Sequence, residues 1–274
     1  MVGWLVREDR RGRRPVLERT QLAGMTVLRA GVPAPDALAQ RKLERRLERA
    51  AELLCRAGVR RVLAQEGFAG WPLLEAAGLQ RVSAAALCQA LAAPLALAAL
   101  KRQGIAPGQA AVSLAGTRVN RPLFQAAEQL CRHVRTLIVD APAGGRELAG
   151  YLRCAYGAPV VEPEAGVTPH AVLCFAPAAD VRGALKLFGA VPDLGALALG
   201  PPPGLECRTA EGLPLLALLW EEGRLDLANI QILARMSSIF CEKAIKKYKT
   251  RQEARPNASA NISAEDEKPK ISRG

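Results

Sequence analysis

The stretch QAAVSLAGTRVNRPLFQAAEQLCRHVRTLIVDAPAGGRELAGYLRCAYGAPVVE, residues 109–162, decides how this chain folds. AAVSLAG (110–116) is a short apolar run closed by glycine and reads as a buried strand. RPLFQAAEQLCRHV (121–134) spaces its apolar residues by three and four behind an early proline, which predicts a helix. TLIVDA (136–141) is a second strand ending on an acid, GGRELAGYLRCAYG (144–157) a second helix closed by glycine, and APVVE (158–162) a third strand. Strands joined by helices of this length predict a parallel sheet, whose ligand crevice lies beyond the carboxyl ends of its strands.

Reading downstream, HAVLCFA (170–176) predicts a fourth strand, ADVRGALKLFG (179–189) a helix and LGALALG (194–200) a fifth strand. The turn PPPG (201–204) then leads to a helix ending near Glu222. Residues 104–232 thus read as a Rossmann-like domain, bounded at its start by the compact turn GIAPGQ.

Upstream, residues 1–103 read as a smaller α/β region. VGWLV (2–6) and MTVLRA (25–30) are strands around a charged turn. A helix follows from Asp36 to Gly58, with Leu43, Leu47, Ala50, Ala51 and Leu54 on one face. RRVLAQ (60–65) is a strand, a short helix starts at Pro72 and stops at Gly78, and LQRVS is a short strand. The alanine-rich helix 84–103 should be kinked or split by Pro94. Residues 82–100 are nearly uncharged and about as long as a membrane span. Their alanine content, Gln89 and Pro94 favour a buried crossover helix, so no membrane role is expected.

The chain changes character near its end. Six of its nine lysines follow residue 242, and leucine and glycine nearly vanish there. Residues 233–250 predict an amphipathic helix through Met236, Ile239, Phe240 and Ile245, and 251–274 a disordered tail without a core-forming pattern.

The pattern of residues 110–162, about a fifth of the chain, resembles the Rossmann domain of dinucleotide-binding proteins. The resemblance implies that Gly116 stands at the first glycine of the phosphate turn and that Asp140, ending the second strand, holds a ribose. The G-x-G-x-x-G motif is broken, because Arg118 and Arg121 stand where glycines belong and a side chain there keeps a pyrophosphate from the backbone. Gly116, Thr117, Arg118, Arg121 and Asp140 are therefore the candidate binding residues for an anionic small molecule or nucleotide gripped by guanidinium groups. The competing reading is that Gly116 only closes a strand and the arginines are solvated. Asp140 and Glu162, at the ends of two strands, are the best acid–base pair, although such acids also cap helices.

Composition narrows the function classes without naming a reaction or a cofactor. With 274 residues, half of them apolar, the chain can bury a large core, and with 4% aromatics that core must be leucine, alanine and valine. Two histidines, His133 and His170, exclude a multi-histidine metal site, and no P-loop, HExxH, GxSxG or zinc-ribbon spacing is present. Seven scattered cysteines without a CxxC pair, and no signal-like N-terminus, predict a reduced, cytoplasmic protein.

The formal charge of +12 is concentrated at the start: residues 1–61 hold 15 Lys or Arg against 7 Asp or Glu. Besides a ligand-binding protein, the sequence fits two others. One is an interaction protein whose basic N-terminal region meets an acidic partner or nucleic acid. The other is a pseudo-enzyme that kept the sheet and lost its cofactor.

Overall fold

The computed structural model describes residues 1–35, 38–177, 181, 183–202 and 212–235. The chain opens with β1 (Val2–Glu8), β2 (Val16–Leu22) and β3 (Met25–Pro33). β2 and β3 form an antiparallel hairpin in which Leu22 faces Met25 across Ala23 and Gly24. Both turn residues have positive φ, 48° and 79°, the conformation that a two-residue hairpin of native twist requires. β2 is absent from the sequence reading, which has the charged turn RRGRRP at residues 10–15 and no strand over 16–22. VLERTQL is a mostly exposed edge strand, and the charges that hid it are what keep a sheet edge from pairing with another chain.

α1 (Gln40–Arg56) carries Leu43, Leu47, Ala50, Ala51 and Leu54 inward, the face expected from the spacing. Asp36, the expected N-cap, lies outside the described residues. Then come β4 (Arg61–Ala64), α2 (Trp71–Ala76) and β5 (Gln80–Arg81). The first sheet has the order β2-β3-β1-β4-β5, parallel except at the hairpin.

The alanine-rich segment forms two helices, α3 (Ala85–Ala90) and α4 (Ala92–Arg102), broken at Leu91. Pro94 is the cause, since it has no N–H for the Ala90 carbonyl and its ring crowds that group. No helix among the described residues is long and apolar enough to cross a membrane.

β6 (Ala111–Ala115), α5 (Arg121–Leu130), β7 (Thr136–Asp140), α6 (Gly145–Tyr156) and β8 (Val160–Val161) realise the unit read from residues 109–162. With β9 (Ala171–Cys174) and β10 (Leu185–Lys186) they make an all-parallel sheet in the order β10-β9-β6-β7-β8. Counting from β6, the strand order is 3-2-1-4-5, the order of a Rossmann-like parallel sheet, with the switch point between β6 and β9.

Three expectations are corrected. The helix predicted over 179–189 contains β10, whose Leu185 and Lys186 pair with Leu173 and Cys174. Gly183 and Gly189 are left-handed, at φ 78° and 79°, which a continuous helix does not tolerate. The fifth strand is therefore β10, and LGALALG supplies β11 (Leu197–Gly200), outside that sheet. After α7 (Gly212–Glu221), β12 (Gln231–Ala234) pairs antiparallel with β11. The helix predicted over 233–250 thus begins as strand. Its remainder and the predicted tail at 251–274 lie outside the described residues.

One apolar cluster joins Leu5, Leu28, Val32 and Val62 to α1 and α2. On the other face of the first sheet, Met25, Val27 and Leu63 share a cluster with Leu87 of α3, Leu91 at the break and Leu95 of α4. That cluster continues to Leu114, Leu123, Leu137 and Leu173 of the second sheet and its helices. Each buried leucine contributes about 1.5–3 kcal/mol, so this packing substitutes for the scarce aromatics.

Candidate functional site

At the carboxyl edge of the second sheet, Gly116 follows β6 and its N–H donates to the Asp140 carbonyl at 2.9 Å. The two loops then run together: Val119 N–H donates to the Ala143 carbonyl at 2.8 Å, and Arg118 bridges to Ala143 in parallel. Gly144 takes φ 85° against Val119, where a β-carbon would stand 3.3 Å from the valine Cβ. Gly116 has no positive φ. It is small because of Leu123, whose Cδ1 would lie 3.1 Å from a β-carbon at that position. Gly116 is buried, Thr117, Arg118 and Arg121 are exposed, and Asp140 is half-buried. Gly116 and Asp140 are thus brought together, whereas Arg118 and Arg121 line neither of the cavities described below.

The start of α5 offers little to a pyrophosphate. Pro122 has no N–H, the Leu123 N–H is taken by Asn120 Oδ1 at 3.0 Å, and the Phe124 N–H by the Asn120 carbonyl at 2.9 Å. Dinucleotide sites use such amides as ligands, and here proline and a capping asparagine have consumed them.

Beside this edge, a crevice of about 350 Å³ opens beyond the ends of β7 and β8. Asp140, Glu147 and Glu162 line it with a single cation, Arg146, whose Nε is 4.0 Å from Glu162. Three carboxylates against one exposed guanidinium repel an anion. The geometry suits hydroxyl-bearing or cationic ligands instead.

A second cavity, of about 320 Å³, lies beyond the ends of β4 and β5. Its floor is apolar: Val62, Val82, Leu194, Leu197, Leu199 and Leu213. The charged lining is two guanidinium groups, Arg81 and Arg235, against one carboxylate, Glu66. Arg235 Nη2 is 3.4 Å from Glu66 in a largely exposed pair, which adds little to stability.

Arg81 is held more firmly. Its guanidinium lies 4.7 Å above the Trp71 ring, and Nε and Nη2 donate to Glu75 Oε1 at 3.1 and 2.8 Å. Trp71 is itself set edge-on to Phe68 at 5.5 Å. An arginine fixed on two sides loses little freedom when its remaining N–H groups bind a ligand. The cavity combines an apolar body with a few convergent polar groups, the usual constitution of a small-molecule site.

None of Trp71, Arg81 and Arg235 was named from the sequence. A signal existed: RVLAQEG (61–67) repeats the grammar of a strand running into a glycine turn before a helix. The contributions from β11, α7 and β12 were not readable, because those elements come from the far end of the chain.

Two further reactive groups have structural surroundings. His170 Nδ1 accepts from the Ala111 N–H at 3.0 Å, which leaves the ring's proton on Nε2. Burial pushes the Cys88 thiol up to about 12, an inert side chain. Among the described residues, no group of three or more His, Cys, Asp or Glu is placed to hold a metal. No family model matches this chain, and the search of curated proteins found no match to it.

Proposed function

We infer that this protein binds a small anionic molecule with an apolar body, an aliphatic or aromatic carboxylate being the simplest example. The ligand occupies the cavity at the carboxyl edge of the first sheet. The observation that carries this reading is the pre-set Arg81, clamped by Trp71 and Glu75 at the wall of an apolar cavity. A carboxylate takes the unspent guanidinium N–H groups, and the leucine-lined floor takes the body. The expectation of an anionic ligand is kept, and its place moves from Arg118 and Arg121 to Arg81.

A thermal-shift screen tests this by comparing carboxylates with their uncharged amides. A ligand at a hundred times its dissociation constant adds about 2.7 kcal/mol, a readable shift. Carboxylates should raise the melting temperature and amides should not, with Trp71 fluorescence changing in parallel. Arg81→Gln should erase the preference, and Ala198→Phe, which fills the cavity from β11, should erase binding altogether. If no carboxylate shifts the wild type, or if binding survives Ala198→Phe, the reading fails.

A further inference from the structure

We propose that the arginine-rich surface at the carboxyl ends of β1 and β3 binds the phosphate backbone of double-stranded nucleic acid. The loop after β1, DRRGRRP (residues 9–15), carries Arg10, Arg11, Arg13 and Arg14, all exposed. It folds back on the end of β3. Ala34 N–H donates to the Glu8 carbonyl at 2.8 Å, and a β-carbon on Gly12 would sit 3.2 Å from the Pro33 ring.

The same strand end receives α1, whose Arg46 Nη1 donates to the Pro33 carbonyl at 2.6 Å. At about 100° per residue, Lys42, Arg45, Arg46 and Arg49 share roughly one 100° arc of the helix surface. Glu44, Glu48 and Glu52 share the neighbouring arc on the far side from Arg46. Since Arg46 reaches Pro33, the basic arc is the one turned toward the arginine loop. A lone charged helix would be only a solvated face, but here two separate elements bring their cations to one edge.

Three of the six described acids nearby are committed to ion pairs, while Asp9, Glu44 and Glu48 have none. Glu8 pairs with Arg10 and with Arg29, Glu18 with Arg29, and Glu52 with Arg56. Asp9 is the remaining carboxylate of the loop. Among the described residues, Arg11, Arg13, Arg14, Arg45 and Arg49 have no ion-pair partner.

The kind of partner follows from what the patch lacks. A protein interface needs apolar or aromatic anchors, and among the described residues the only large exposed apolar side chain beside these arginines is Val16. Single strands need aromatic rings for base stacking, and the loop and basic arc have none. A duplex backbone asks only for guanidinium groups spread over a surface, and it is read without sequence preference.

The test is fluorescence anisotropy of a labelled DNA duplex with the full chain, titrated at several salt concentrations. Five phosphate contacts predict a log–log slope near −4.5 and a loss of about 500-fold in affinity between 50 and 200 mM salt. Replacing Arg11, Arg13, Arg14, Arg45 and Arg49 by glutamine should abolish binding. A control that removes positive charge elsewhere, Arg118→Gln with Arg121→Gln and Arg146→Gln, should retain most of it. If the five-fold variant melts early, the loop variant Arg11→Gln with Arg13→Gln and Arg14→Gln should still cut the slope by about 2.7. The proposal falls if the wild type does not bind duplex at low salt, or if the control loses as much affinity as the patch variant. It falls equally if poly-glutamate competes as well as DNA does, since the partner would then be an acidic protein.

Discussion

Replacing Gly116 by alanine tests the reading of the second sheet's carboxyl edge at its tightest point. The added β-carbon would stand 3.1 Å from Leu123 Cδ1 and 3.5 Å from the Arg118 carbonyl oxygen. Leu123 is fully buried at the base of α5, so it cannot swing into solvent to make room. Overpacking of this kind costs about 1–3 kcal/mol. Removing a glycine restricts the unfolded chain and returns about 0.4–1 kcal/mol, because the native backbone here is one that alanine can adopt. The expected net loss is about 1–2 kcal/mol, or roughly 3–6 °C in melting temperature for a unit of this size.

The decisive comparison is with Leu123→Ala, which should itself cost about 2–5 kcal/mol by opening a cavity. In that background the clash has no partner, so Gly116→Ala should become neutral or slightly stabilising. The coupling between the two changes should then reach at least about 1 kcal/mol. Thermal and urea melts of the four proteins measure it. If Gly116→Ala leaves the wild type unchanged, or costs the same with Leu123 trimmed, the packing explanation of Gly116 is refuted.

Other outcomes are expected from the same structure. Asn120→Ala should cost about 1 kcal/mol in urea denaturation by releasing the Leu123 N–H, and Asn120→Asp should keep most of that stability. Burial works against the charge on Glu8, but hydrogen bonds and charge from Arg10 and Arg29 outweigh it and hold the carboxyl below its ordinary 4.5. A lowered folded value means stability present above pH 4.5 and lost as pH falls through the folded value. The melting-temperature gap between wild type and Glu8→Gln should therefore be constant near neutrality and close only in acid. Alkylation followed by peptide mass spectrometry should modify the exposed Cys154 in the native protein. Cys88, buried and with its thiol near 12, should react only when urea unfolds the core.

The β-α-β-α-β unit is legible in the sequence because each of its steps is local. Gly157 at φ 61° ends α6, Pro122 and Asn120 start α5, and the apolar runs of β6 and β7 are strands buried in a sheet. Where neighbours decide, local patterns failed. VLERTQL shows charges because it is an edge strand, and only its pairing with β3 makes it a strand. LGALALG suits any strand, and nothing inside it selects β12 over β9 as a partner.

The sequence by itself determined an α/β chain with a Rossmann-like second half, the inward face of α1 and the break near Pro94. These follow from side-chain periodicity, the left-handed freedom of glycine and the missing N–H of proline, all properties of a few consecutive residues. The tertiary structure alone decided which strands are neighbours and which charges share a cavity. Arg81 and Arg235 stand 154 positions apart in sequence yet line one cavity, while Arg118 and Arg121, adjacent to the Gly116 turn, line neither of the two described cavities. The physical reason is that a binding site is made by distant segments meeting at a sheet edge. That meeting is fixed by burial of Leu63, Val82, Leu194, Leu197 and Leu215 in one continuous core, which no local pattern encodes.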